Sequence, residues 1–193
     1  YEVDYHDTFT SVTKMNTVRV LLSLAANLDW SIKKFDVKNT FLHGDLEEEV
    51  YIDMPLGYGL SNNGRKVCRL RKTLYGLKQS PRAWFGWFIE VMKKYGYHQG
   101  NSDHTLFIKR MDGKITLLII YIDDMVVTGD DVVDMGKLHK YLASKFEMKD
   151  LGALKYFLGI KVTRSTTSTC LFQRKYVLDL CTDTSMLGCA LVS

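Results

Sequence analysis

Residues 117–127 read Leu117-Leu118-Ile119-Ile120-Tyr121-Ile122-Asp123-Asp124-Met125-Val126-Val127. Two apolar runs of strand length flank a pair of adjacent carboxylates, which predicts an antiparallel hairpin with Asp123 and Asp124 at its tip. Burying an unpaired carboxylate is costly, so such a pair either sits in a solvated turn or holds a cation. On this stretch alone both readings stand, because Asp also favours turns. Just upstream, Leu106–Arg110 and Ile115–Tyr121 flank Met111-Asp112-Gly113-Lys114, whose Asp-Gly predicts a second hairpin.

Outward from these hairpins the chain alternates helices and strands. Lys14–Leu28 places Met15, Val18, Leu21, Leu22, Ala25 and Leu28 on one helical face, and Trp30–Val37 reads as a short strand. Ser80-Pro81 predicts a helix start with Ser80 as N-cap and proline at the first helical position. The helix then carries Trp84, Trp87, Phe88, Val91, Met92 and Tyr95, a stripe assigned to core packing, and Gly96 stops it. Val132–Phe146 reads as helix, Leu154–Thr163 and Cys170–Gln173 as strands, and Lys175–Cys181 as a last short helix. No β-α-β rhythm is present, so the expected fold is α+β, a mainly antiparallel sheet with helices packed on one face.

Composition narrows the function classes. The 193 residues are 46% hydrophobic and 25% charged, which excludes a disordered or fibrous chain and suits a single domain. No apolar run reaches the length of a membrane span, and neither a leader nor an address is visible in the sequence. The four cysteines form no C-x-x-C pair, as in free thiols of a reducing compartment, and the scattered histidines offer no zinc spacing. The formal net charge of +4 permits a nucleic-acid partner without requiring one. Charge is also unevenly spread: Arg65, Lys66, Arg69, Arg71, Lys72, Lys78 and Arg82 follow one another with no acid between them. Asp45, Glu47, Glu48, Glu49 and Asp53 cluster just before. Either these are two solvated faces, or the basic run, interleaved with Leu70, Leu74, Tyr75 and Leu77, lines a phosphate backbone.

Asp36 strengthens the cation reading, because it projects from the end of a strand between Phe35 and Val37. Mg²⁺ is commonly held by one or two carboxylates plus substrate phosphates. If the strand runs on through Asp123 and Asp124, alternation turns them to opposite faces and makes one of them the main ligand.

Three blocks now resemble the signature of a reverse transcriptase of the copia type, as found in the Pol polyprotein of LTR retrotransposons. They are Phe35-Asp36-Val37-Lys38-Asn39-Thr40-Phe41-Leu42-His43-Gly44-Asp45-Leu46, Leu74-Tyr75-Gly76-Leu77-Lys78-Gln79-Ser80-Pro81-Arg82-Ala83-Trp84, and Tyr121-Ile122-Asp123-Asp124. Tyr5-His6-Asp7-Thr8-Phe9, Lys149-Asp150-Leu151-Gly152, Lys155–Ile160, Gln173–Tyr176 and Met186–Cys189 agree in order and spacing, so the resemblance covers essentially 1–193. That order argues against another two-metal enzyme such as a nuclease. Ser11 and Thr40 stand where relatives usually carry proline and alanine.

The resemblance implies a right-hand polymerase palm with partial fingers, a single domain over 1–193 with the primer grip and the start of a thumb at about 154–193. It implies RNA-directed DNA polymerisation: transfer from a dNTP to a primer 3′-hydroxyl on an RNA or DNA template, with two Mg²⁺ ions for which Mn²⁺ can substitute. Asp36, Asp123 and Asp124 match the catalytic metal site, Asp36 and Asp123 as the main ligands and Asp124 as the companion that supports the site more than it binds the ion. Phe41 matches the aromatic residue that excludes a 2′-hydroxyl, although by itself it also reads as a core residue. Tyr75, Gly76, Gln79 and Ser80 match the segment under the nucleotide, where glycine permits close approach. Arg69, Arg71, Lys72 and Lys78 are expected on nucleic acid, and Phe157, Leu158 and Gly159 match the primer grip. No membrane partner is implied; RNase H and integrase regions of the same polyprotein are, in cytoplasmic particles or the nucleus. In the family a basic fingers hairpin precedes the block ending at Phe9. The alternative reading is therefore a catalytically defective, nucleic-acid-binding remnant without that hairpin; on either reading the 193 residues alone are expected to bind a primer–template better than they extend it.

Overall fold

Leu117, Leu118, Ile119 and Ile120 are all buried, a pattern that requires cover on both faces of their strand. The structure, a computed structural model, describes residues 12–46, 48–55, 57, 67–165 and 168–185. Its main sheet has six strands: β1 (Ser31–Val37), β4 (His98–Gln99), β5 (Leu106–Met111), β6 (Lys114–Tyr121), β7 (Asp124–Gly129) and β8 (Met148–Ala153). Their order is β4-β5-β6-β7-β1-β8, with every neighbouring pair antiparallel. The mainly antiparallel sheet is therefore as expected. Between β5 and β6, Asp112 and Gly113 both take positive φ, 54° and 77°, the geometry of the tight hairpin turn that Asp-Gly selects.

Alternate residues of β6 feed two separate cores. Leu118 and Ile120 pack with Phe35, Met125 and Val127 against α2 (Ser80–Lys94) and α3 (Val132–Ala143). Leu117 and Ile119 pack with Ile32 and Val126 against α1 (Met15–Asn27) and against β9 (Tyr156–Phe157) and β10 (Ile160–Arg164). The expectation of helices on one face is thus corrected. A strand apolar at every position has two faces to bury, and α1 takes the face opposite α2 and α3.

Other boundaries differ locally. The stretch expected as one strand over Leu154–Thr163 is a hairpin, β9 paired with β10 through the turn Leu158-Gly159, and β8 precedes it as an edge strand. β10 continues the small sheet to β11 (Thr169–Phe172), and α4 (Arg174–Asp183) follows. β2 (Tyr51–Asp53) and β3 (Val67–Arg69) form a separate two-stranded hairpin, and a 3₁₀ turn spans Thr40–His43. Among the described residues no helix is long and apolar enough to cross a membrane.

Helix α1 begins without a capping side chain of its own. Asp103, 3% exposed, supplies the cap from the far side of the chain by accepting the Lys14 N–H at 3.0 Å and the Thr105 N–H at 2.9 Å. Burial alone would raise its pKa, but hydrogen bonds from Thr105, Thr17 and the two backbone amides outweigh burial and hold it below the usual carboxylate value. A depressed folded pKa contributes stability above the unfolded value of about 3.9 and loses it as pH falls through the folded one. Asp103→Ala is expected to cost about 1–3 kcal/mol at neutral pH. The difference in urea midpoint between variant and parent should shrink as the pH is taken below about 4. An undiminished difference in acid would show that Asp103 acts by packing rather than by charge.

Candidate active site

The strand register brings the end of β1 beside the β6–β7 turn. Asp36 pairs across the sheet with Asp124, and Asp124 pairs with Tyr121, leaving Ile122 and Asp123 as a two-residue turn. Both turn carbonyls are engaged: that of Asp123 accepts the Val37 N–H at 2.9 Å, and that of Ile122 accepts the Trp84 indole N–H at 2.8 Å. Ile122 has φ 57°, a left-handed conformation that costs a β-branched residue about 1–3 kcal/mol.

Asp36, Asp123 and Asp124 are all half-buried at this end of the sheet. Burial pushes the Asp123 carboxyl above its ordinary pKa, and the charges of Asp124 and Asp36 add to that rise. Asp124 is balanced differently, with the Lys34 ammonium 2.8 Å from one carboxylate oxygen and 2.9 Å from the other. Contrary to expectation, alternation does not turn Asp123 and Asp124 to opposite faces of one strand. The strand does not run through Asp123, so parity does not apply across the turn. Asp124 lies on the same sheet face as Asp36, and what sets it apart from Asp123 is its lysine partner.

Lys34 and Trp84 are site residues that the sequence reading misses. Lys34 was legible in principle, since it lies two positions before Asp36 on the same strand face. Trp84 carried no such signal, because its helical spacing marks it as core.

The residues expected beneath the nucleotide lie on the 3₁₀ turn Thr40–His43 and on the turn that leads into α2. Phe41, 8% exposed in the 3₁₀ turn, packs edge-on against Tyr75 with centroids 4.5 Å apart, while Tyr75 is exposed. The Thr73 hydroxyl donates to the Phe41 carbonyl and ties the two segments together. Gly76 has φ 93°, and a Cβ there would meet nothing within 4 Å, so the backbone turn is what calls for glycine rather than a close approach within the chain. Gln79 donates to Glu48 at 3.1 Å. Ser80 is not the N-cap expected of it: the cap position is Gln79, and the buried Ser80 hydroxyl donates to the Leu74 carbonyl at 2.6 Å. That bond holds the Tyr75-Gly76 turn against the start of α2.

The acidic and basic clusters are not separate faces. Arg69 pairs with Glu49 at 3.0 Å and Lys72 with Asp45 at 2.5 Å, all four being solvent-exposed. Exposed pairs of this kind are worth about 0–1 kcal/mol, little enough for a phosphate to displace the carboxylate. Arg71 and Lys78 are not buried. In the expected primer grip the Phe157 side chain is buried in the α1 core at 2% exposure, which leaves the turn Leu158-Gly159 as the accessible part. Tyr5–Phe9, Glu47, Arg65, Lys66 and Met186–Cys189 lie outside the described residues.

The donor set fits a hard divalent ion, since the residues are carboxylates and the Asp123 anion is disfavoured first by burial and then by the charges of Asp124 and Asp36, which a cation would offset. Among the described residues no three Asp, Glu, His or Cys side chains converge closely enough to enclose an ion. Such a site suits an ion that completes its shell with water and substrate oxygens.

Over residues 1–193 the chain matches the protein family described as reverse transcriptase (RNA-dependent DNA polymerase). It is 42% identical over 178 residues to the retrovirus-related Pol polyprotein from transposon TNT 1-94 of Nicotiana tabacum, covering 91% of this chain and 13% of that polyprotein. It is 38% identical over 185 residues to the corresponding polyprotein from transposon RE1 of Arabidopsis thaliana, covering 96% of this chain and again 13% of the relative. The chain thus spans a small part of these relatives. A telomerase structure from Candida albicans, in complex with a fragment of telomeric RNA, aligns with a TM-score of 0.46 at 11% identity, over 89% of this chain and 36% of that one. A likeness so distant carries no argument.

Proposed function

This chain belongs to the reverse transcriptase (RNA-dependent DNA polymerase) family, in the form carried by transposon Pol polyproteins, and from that premise we propose that it extends a primer 3′-hydroxyl with dNTPs on a nucleic-acid template. The observation that carries the reading is the register that sets Asp36 and Asp124 opposite each other, with Asp123 in the adjoining turn.

Asp36 and Asp123 would hold Mg²⁺, with Mn²⁺ able to stand in. The bound metal supplies Lewis-acid stabilisation of the attacking 3′-oxygen and of the pyrophosphate that leaves. Asp124, held by Lys34, is a third carboxylate next to this pair that does not compete fully for the cation. Phe41, walled by Tyr75, presents a rigid aromatic edge that would clash with a 2′-hydroxyl and so favour deoxynucleotides. The Ser80 hydroxyl fixes the turn on which the nucleotide rests. The partners proposed with this activity are an RNA or DNA template with its primer, dNTPs, and the RNase H and integrase regions of the polyprotein.

Primer extension tests this reading, with Asp36 and Asp123 as the sites to change. The basic strip has its own test. Arg69→Ala, Arg71→Ala and Lys72→Ala together are expected to flatten the slope of log affinity against log salt by about 1 for each phosphate they neutralise in the parent. An unchanged slope in a primer–template binding titration would confine Arg69 and Lys72 to their own ion pairs.

A further inference from the structure

Trp84 stands in an unusual relation to the turn that bears Asp123. Its side chain is 2% exposed and fixed among aromatic rings, with centroids at 5.1 Å from Phe146, 5.6 Å from Phe88, 5.8 Å from His43 and 6.0 Å from Trp87. The indole cannot swing, so its N–H is a rigid donor, and it is spent on the carbonyl of Ile122 at 2.8 Å. Ile122 is the turn residue in the left-handed conformation, and a strained residue stays so only where its surroundings over-determine it. The next carbonyl, that of Asp123, is held by Val37 N–H, beside Asp36. Phe or Leu would fill the core position of Trp84, but neither could donate this bond.

We propose that Trp84 is a positioning residue for nucleotide transfer: its indole N–H locks the Ile122-Asp123 turn and thereby fixes the Asp123 carboxylate relative to Asp36. The inference rests on the polymerase reading above. It also joins the two halves of the site, because Ser80, which holds the Tyr75-Gly76 turn, opens the same helix one turn before Trp84. A rigid helix thus spans from the nucleotide segment to the carboxylate turn.

The test replaces Trp84, in the full-length polypeptide, by its benzothienyl isostere, which substitutes sulfur for N–H and keeps the ring. Single-turnover incorporation is expected to slow about tenfold, the effect of one lost hydrogen bond expressed in the rate. The dNTP concentration at half-maximal rate should stay unchanged, and the melting temperature should fall by no more than about 2–4 °C. Trp84→Phe should show the same rate loss, whereas Trp87→Phe, which alters the neighbouring ring, should keep the parent rate. An isostere with the parent rate would overturn the proposal, and so would a loss lying wholly in dNTP affinity. Asp123→Asn measured alongside separates the two levels: if it incorporates normally, the polymerase reading fails. If it is inert while the isostere is fully active, only the role of Trp84 fails.

Discussion

Asp123→Asn and Asp36→Asn, each placed in the full-length polypeptide, are expected to lower dNTP incorporation at least about a thousandfold, as when several kcal/mol of transition-state charge stabilisation is removed. Asparagine keeps the volume and removes the charge, so a fold built on two apolar cores should be retained. Stability should even rise slightly in Asp123→Asn, since burial and two neighbouring carboxylates disfavour its anion. Asp124→Asn is expected to be milder, because this carboxylate already answers Lys34. Its variant loses that ion pair but keeps both Asp36 and Asp123. Thermal melts beside the rate measurements separate chemistry from folding. Equal losses at Asp123 and Asp124 would remove the distinction drawn from the lysine.

The second large effect is on stability, far from the carboxylate turn. Asp134, 3% exposed in the first turn of α3, accepts the Tyr97 hydroxyl at 2.8 Å and the Lys109 ammonium at 2.6 Å. Lys109 also lies 4.3 Å from the centroid of the Tyr95 ring. Burial, then the bond to Asp134, pushes the Tyr97 hydroxyl far above its ordinary pKa, so it remains a donor throughout the working range. Asp134→Ala strands a partly buried cation and a buried hydroxyl together, which is expected to cost about 3 kcal/mol. Tyr97→Phe removes only a neutral donor and should cost about 1 kcal/mol. Adding Lys109→Met to Asp134→Ala should recover part of the loss, since the uncompensated charge goes with it. Urea midpoints decide the matter; a loss near 1 kcal/mol for Asp134→Ala would mean that water reaches Lys109.

Much of this was legible in the residues, and the failures have physical causes. Local signals worked where they were strong: the Asp-Gly turn, the periodicity of α1 and α2, and the apolar runs of β6 and β7. The continuous run Leu117–Ile120 also carries the two-sided cover of the sheet, but strand length alone does not say what each face will meet. β8, with five of its six residues exposed, has no apolar alternation to betray it. The Leu158-Gly159 turn interrupts a stretch whose β-branched and aromatic content reads as one strand. Within the site, Asp36 and Asp123 are brought together in sequence only by the family blocks, because 87 positions separate them and no periodicity spans that distance. The pairing of Arg69 with Glu49 and of Lys72 with Asp45 needed the β2–β3 hairpin, which the charge pattern alone does not specify.

The measurement that bears most directly on the account is single-nucleotide extension of a DNA primer on an RNA template, with and without Mg²⁺, by the full-length polypeptide and its Asp123→Asn variant. Templated incorporation of the complementary dNTP, abolished by chelation and by Asp123→Asn and strongly preferred over the matching ribonucleotide, is the predicted result. Extension that persists in Asp123→Asn or without a divalent cation would contradict it, as would a parent polypeptide that binds the primer–template and adds nothing.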